Sequence, residues 1–525
     1  MGRIRKKLID KTPNIRRKTE GGRLRDDHQR LSWFLVLVIA LASNPGPRQS
    51  KHRRARLMTT QGRTIFSFVM DHDPCFAYEA WHLARSLVEH CGGDPSSIHV
   101  QCLPEVNARR RSLFGEFGCH VHEIARFGDG RYCNKLNQLE NLRELDFDRV
   151  VLLDTDMIAT SDLRPFLGGA AIQAKIVDLA KPPLATLEAI AAAADLSKLP
   201  PIRGVDASGD LTFEANCSGG FYSIPKELCA ELSEGWRRWA LWLLANMDRL
   251  WCVGREDHVD QISFWLAVQH GGLPFKAAPS NVNYYIHFDG AHGYFDDAQP
   301  IGLLHYHSSS LNVLGLLEPQ AHLDAAAQAA VAKANALIGN GFDNRVFWDL
   351  RYRHFRERGS GIGSRGNNLL LKRRLLREQG VETASSVLDV GCGDLEVIKD
   401  LAIGNYLGTD QSSETLKIAQ LARPDWRFKL APAADVPAAE MVICFEVLIH
   451  QETEEAYRAL IDFLAQKTIG SLLVSGYAAG HDSIQKNPML FFYEPLQTSL
   501  RRTGHFRAIR RIGAQTRVAA YRCDV

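Results

Sequence analysis

Val387-Leu388-Asp389-Val390-Gly391-Cys392-Gly393 is an apolar run that breaks into a glycine-bearing turn, with Asp394-Leu395-Glu396-Val397 following in helical character. This reads as a buried strand meeting a ligand at its carboxyl end, where glycine lets the backbone pass close to a flat polar molecule. Seventeen residues after Gly393, Tyr406-Leu407-Gly408-Thr409-Asp410 reads as a second strand ending in an acid, suited to grip two ribose hydroxyls. A dinucleotide fold also pairs glycines with a later acid, but the turn here reads GCGDLEV and lacks G-x-G-x-x-G. Asp394 beside the turn would also repel a pyrophosphate, whereas it does no harm to a sulfonium ligand. Outward from this core, MVICFEV (Met441–Val447) and SLLVSGY (Ser471–Tyr477) read as further strands separated by helical stretches.

Residues 341–525 thereby resemble the class I, Rossmann-like methyltransferases that use S-adenosylmethionine. The resemblance places Asp389, Gly391 and Gly393 along the methionine end of the cofactor and Asp410 on the ribose. The stretch FWDLRYRHFRERGSGIGSRG (Phe347–Gly366) is similar to the lead-in of a bacterial subgroup, in which Tyr352 and Arg365 would close over the cofactor. An oxygen acceptor needs its proton removed, and Glu446 or His450, just past the fourth strand, are the candidates. His450 is equally placed to begin a helix.

Upstream, Thr64–Met70 (TIFSFVM) reads as a strand, a helical pattern covers Ala77–His90, and IHVQCL begins at Ile98. A helix is expected over Asn134–Leu142, followed by the strand Arg149–Asp154, so this part too alternates β and α and builds a mainly parallel sheet. The apolar Val150–Leu153 stops at Asp154-Thr155-Asp156, two carboxylates expected on one side of an extended chain at a ligand edge. Such a pair suits a hard divalent cation bridging a diphosphate.

Residues 58–320 resemble the GT-A glycosyltransferases, and in particular the family 8-like group, through RYCNKLNQL, VVLLDTDMI, NCSGGFYSI, EDHVDQISF and LLHYHSS in that order. The resemblance implies a nucleotide-sugar donor, a glycan or other acceptor, and Mn²⁺ or Mg²⁺ held by Asp154, Asp156 and a late histidine. His305 and His307 share a face if their segment is a strand, and His305 is preferred. Lys135 would contact the nucleotide or donor sugar. Asn216 and Gly219 would admit the sugar closely, and Asp257, Asp260 and Gln261 would touch donor or acceptor, with Asp260 a catalytic candidate. The Gly-x-x-Lys-Pro-Trp of the best-known family 8 pattern does not follow the histidines.

The fold expected is therefore α/β twice over: a GT-A domain at 58–320, an Ala-rich linker helix at 321–340 and a methyltransferase domain at 341–525. The function expected is a bifunctional enzyme that transfers a sugar to a glycan or other acceptor and a methyl group to an acceptor that can be the same glycan. Its alternative is a methyltransferase acting on a protein or small molecule and carrying an inactive sugar-binding module.

The 525 residues carry a net charge of +3, distributed unevenly. Residues 1–57 hold 16 Lys+Arg against 4 Asp+Glu, leaving 47 against 56 for the remainder. This leader reads as a solvated arm or a segment preceding a true start at Met58; a basic arm of this kind also suits an anionic membrane surface, as a peripheral association. Its apolar run Leu31–Ala42 is shorter than the roughly 20 residues a spanning helix needs. The body shows no basic-aromatic stripe, so no nucleic-acid partner is expected. Eleven cysteines without a Cys-x-x-Cys pair, together with cytosolic cofactors, point to the cytoplasm.

Overall fold

The computed structural model describes residues 62–246, 258–433, 435–485, 487–515 and 517–525. The basic leader with its apolar run, Met58 and Asp257 lie outside the described residues. The architecture is mixed α/β with two seven-stranded sheets.

The N-terminal sheet runs, edge to edge, Phe275–Ala277, Ile172–Ile176, Cys217–Pro225, Arg149–Leu153, Thr64–Met70, Ile98–Cys102 and His120–Glu123. Cys217–Pro225 is antiparallel to both its neighbours, and the other pairings are parallel. Arg149–Leu153 is buried along its whole length because it lies inside the sheet with a hydrophobic cluster on each face, which explains its unbroken apolar pattern. One face carries helix Pro74–His90, started by Asp73, whose side chain accepts the Cys75 N–H. The other face buries Tyr222, Trp236 and Phe264 against one another, with Trp265 stacked on Phe213.

A small second sheet positions the site. Leu303–His305 pairs antiparallel with Met157–Ala159, in a register that sets His305 opposite Met157 and hence beside Asp156. The single helix expected over Asn134–Leu142 is instead a 3₁₀ segment, Tyr132–Asn137, followed by a short helix, Gln138–Leu142. Polar side chains compete with the helix here: Asn134 accepts from the Phe127 N–H and donates to the Gly130 carbonyl, and Asp129 accepts from Arg131 and Cys133.

The C-terminal sheet runs Arg427–Leu430, Tyr406–Asp410, Val387–Val390, Ala439–Cys444, Thr468–Tyr477, Val518–Asp524 and Ala508–Gln515, with only Val518–Asp524 reversed. Helix Ala325–Gly339 joins the two regions, capped by Asp324. The hydrophobic cluster of the N-terminal region continues past it, taking in Val346, Phe347 and Leu350 from helix Asn344–His354. Among the described residues no helix is long and apolar enough to cross a membrane, and the ten described cysteines are free thiols.

Candidate active sites at the two sheet edges

At the N-terminal edge the two acids of Asp154-Thr155-Asp156 have different partners. Asp154 Oδ1 accepts from Lys135 Nζ at 2.7 Å, and the same ammonium donates to the Gly219 carbonyl at 3.0 Å and lies 3.3 Å from Asp260 Oδ2. Burial opposes the Lys135 charge, but the Asp154 and Asp260 carboxylates hold it protonated well above its ordinary range. Asp156 instead faces His305 Nε2 at 3.3 Å and His307 Nε2 at 4.0 Å. Asp156, His305 and His307 form a set whose ligand atoms lie within 4.8 Å of one another; Asp154 stands outside it.

The two carboxylates expected to act on one ion thus have different neighbours in this ion-free structure, Lys135 for Asp154 and the two histidines for Asp156. The expectation that His305 and His307 share a strand face is corrected: the strand ends at His305, and His307 has φ +50. Its ring still reaches Asp156, stacked at 3.8 Å on His287.

The donor chemistry fits a divalent metal. His305 Nδ1 is 2.8 Å from Asn283 Oδ1, and Asn283 Nδ2 donates to Ser218 Oγ, an arrangement that puts a proton on Nδ1 and turns Nε2 toward Asp156, whose charge favours a second proton there although burial opposes it; a bound cation would take Nε2 in place of that proton. Gly220 is needed here, since a Cβ on it would lie 3.0 Å from Asn283 Nδ2 and 3.1 Å from His305 Nδ1. Although burial disfavours ionisation, the His305 imidazole pulls the Asp156 carboxyl far below its ordinary value.

Several residues here were not found from sequence. Glu79 on helix Pro74–His90 accepts from Thr155 Oγ1 at 3.2 Å and from Cys75 Sγ at 3.1 Å. Burial and the nearby Asp156 charge push its carboxyl well up, against the hydrogen bonds from Cys75 and Thr155. Asp178, paired with the buried Lys175, contributes negative charge toward His305. Both come from elements remote in sequence, and an isolated Glu or Asp carries no motif.

Asp260 is buried, and that burial, with Asp154 close by, raises it to about 6 despite Lys135; its Oδ1 has no protein partner. Asn216 is buried, gives its amide to Thr212 Oγ1, and leaves Oδ1 likewise unpartnered. A Cβ on Gly219 would lie 3.0 Å from Lys135 Nζ and 3.1 Å from Asp260 Oδ2.

At the C-terminal edge lies a cavity of about 320 Å³ whose lining includes Gly391, Gly393, Asp389, Asp410, Tyr352, Glu446 and His450. Gly391 (φ +75) and Gly393 (φ +58) adopt left-handed backbone, where a Cβ would lie 2.3 Å from Val447 Cγ2 and 2.5 Å from Ser360 Oγ respectively. Asp410 Oδ2 accepts the Gly393 N–H at 3.1 Å and Oδ1 the Ser412 N–H at 2.9 Å, locking the acid to the glycine turn. Each oxygen keeps a further lone pair for a ligand hydroxyl. Burial raises Asp410 to about 6 and Asp389 to about 7, the latter accepting only from Tyr406 OH. A backbone cradle beside a buried acid with lone pairs to spare has the chemistry to receive S-adenosylmethionine.

Arg365 does not line this cavity. It pairs with Asp394 at 2.5 Å, where Ser360 Oγ also donates at 2.7 Å, and so lies against the glycine turn. That pairing offsets the Asp394 charge. Glu446, at φ +62, forms an ion pair with the buried Lys372 at 3.1 Å. His450 Nδ1 lies 2.7 Å from the Met489 carbonyl, which places its proton there, and burial lowers the ring to about 4.

No protein-family model matches this chain, and no curated protein matches it. Solved structures do show similarity to part of it. The magnesium protoporphyrin IX methyltransferase ChlM from Synechocystis PCC 6803 with bound SAM is 19% identical, covering 35% of this chain and 97% of that one at a TM-score of 0.27. The N-methyltransferase NodS from Bradyrhizobium japonicum WM9 with S-adenosyl-l-homocysteine is 16% identical, covering 35% and 98% at 0.28. A TehB-like SAM-dependent methyltransferase from Corynebacterium glutamicum is 12% identical, covering 34% and 98% at 0.27.

Proposed function

We propose that the C-terminal region is an S-adenosylmethionine-dependent methyltransferase and that the N-terminal region transfers a sugar from a nucleotide-sugar donor with a divalent metal. The observation that carries the first reading is the cavity with Gly391 and Gly393 on one side and Asp410 tied to their turn. Its sheet supports this: numbered by chain order the strands run 3-2-1-4-5-7-6, with the seventh reversed. The cofactor, when bound, supplies an activated methyl group. Asp410 receives the ribose hydroxyls, the glycines admit the methionine end, and Trp348, Tyr352, Phe445 and Val447 wall the cavity against water. His450 is favoured over Glu446 as the group that takes the acceptor's proton. Its Nδ1–H is committed to Met489 and Nε2 is a lone pair, whereas Glu446 is neutralised by Lys372.

A specific observation favours the second reading as well: the Asp156–His305–His307 set stands beside the Lys135–Asp154–Asp260 ion pairs at one strand end. The N-terminal sheet, numbered in the same way, runs 3-2-1-4-6-5-7 with the sixth strand reversed. A divalent cation there supplies positive charge against a departing diphosphate. Lys135 adds a fixed cation, and the unpartnered oxygens of Asp260 and Asn216 suit sugar hydroxyls.

Titration calorimetry tests both. S-Adenosylhomocysteine is expected to bind without metal, and one member of a nucleotide-sugar panel to bind only with Mn²⁺. Failure of the first overturns the methyltransferase reading. Failure of the second reduces the N-terminal region to an inactive module, the alternative in which methyl transfer acts on a protein or small molecule.

A further inference from the structure

Helix Ala108–Phe117 belongs to the N-terminal region, with Leu113 and Phe114 in that region's core. Two adjacent arginines at its start reach across to the other region. Arg109 Nη1 donates to the Gln411 carbonyl at 2.5 Å and to the Ala431 carbonyl at 3.0 Å, while Nη2 donates to Gln411 Oε1 at 3.0 Å. Gln411 follows Asp410, Ala431 follows the strand Arg427–Leu430, and the Ala431 N–H donates to the Asp410 carbonyl at 2.8 Å. All of these residues, Arg109 included, line the cofactor cavity.

Arg110 is buried and donates to Asp349 Oδ2 at 2.8 Å and to the His72 carbonyl at 2.6 Å. Asp349 Oδ1 accepts from Ser412 Oγ at 2.6 Å and from the Glu414 N–H at 3.3 Å. The loop bearing Asp410 is therefore held through Gln411 by one guanidinium and through Ser412 and Glu414 by the other. The planar guanidinium holds both the two carbonyls, through Nη1, and the Gln411 side chain, through Nη2, in one fixed fork, which a flexible ammonium does not reproduce.

We propose that the cofactor cavity is a composite site, completed by Arg109 and Arg110 of the N-terminal region as positioning residues for its Asp410 end. This rests on reading the cavity as an S-adenosylmethionine site. The methyltransferase region then depends for its cofactor affinity on a helix that its own 185 residues, 341–525, do not contain. Preorganisation of this kind raises affinity by removing the cost of ordering the loop on binding.

The test uses the full chain and S-adenosylhomocysteine. Arg109→Ala is expected to weaken binding about 10- to 100-fold, the worth of lost charge-assisted hydrogen bonds, while the circular dichroism spectrum is retained. Arg109→Lys, which keeps the charge but has no second nitrogen for Gln411 Oε1, is expected to recover part of the loss. It also serves as the working variant if the alanine protein does not fold. A double-mutant cycle with Gln411→Ala is expected to be non-additive, because both changes release one contact. Equal affinity in wild type, Arg109→Ala and Arg109→Lys overturns the proposal alone. No binding by the wild type overturns the cofactor reading and the proposal with it.

Discussion

At the N-terminal edge Asp154 and Asp260 lie against Lys135, and Asp156 lies against two imidazoles; at the C-terminal edge Asp389 and Asp410 take hydrogen bonds only from a phenol and backbone N–H groups. On the proposed reading, the difference matches what each edge would hold. A diphosphate and its cation need dense, fixed charge, which side chains supply. A flat ligand with one sulfonium needs close backbone approach, which glycine supplies. The first edge should therefore be sensitive to side-chain truncation at constant fold, and the second to added volume.

Gly391→Ala should break this contrast most strongly, since it combines a φ of +75 with a Cβ only 2.3 Å from Val447 Cγ2. Loss of S-adenosylhomocysteine affinity by at least about 100-fold is expected, with the Mn²⁺ response of the other edge preserved; calorimetry on the same sample reads both. Asp156→Ala should do the reverse, abolishing metal-dependent nucleotide-sugar binding and leaving S-adenosylhomocysteine affinity unchanged.

Asn283→Ala sharpens the comparison further. It touches no ligand, but it removes the acceptor that sets the His305 tautomer, and Mn²⁺ affinity measured by electron paramagnetic resonance should fall about 10- to 100-fold.

The smallest effect is on stability against pH. Asp389 titrates at about 7 in the fold against an ordinary 3.8. The folded form therefore binds the extra proton, and this stabilising contribution is complete below about 3.8 and lost as pH rises through about 7. Asp389→Asn should accordingly melt higher than wild type at pH 8, with the gap closing toward pH 5. His450 has the opposite sign: its ring is lowered from 6.5 to about 4, so its contribution is present above 6.5 and lost as pH falls through about 4.

Much of the fold was legible because strand ends are local events. Val387–Val390 and Arg149–Leu153 are apolar runs that stop at glycine or aspartate, and both emerge as interior strands of their sheets. Asn134–Leu142 was misread because Asn134 and Asp129 spend their side chains on nearby backbone, a competition that hydrophobic periodicity does not register. The partner of Arg365, Asp394, lies 29 residues on and was likewise not legible from spacing.

The sequence by itself determined two α/β sheets, the turn glycines and the acids at each ligand edge, because each of these depends on a few consecutive residues. Only the tertiary structure decided that Asp154 goes to Lys135 while Asp156 goes to His305 and His307, that Asn283 orients His305, and that Arg109 and Arg110 cross to the cofactor cavity. Such partnerships are set by the sheet pairing that puts His305 opposite Met157 and by the burial of helix faces shared between the two regions. A charged side chain finds its counter-charge through space, and one-dimensional spacing carries no record of that distance.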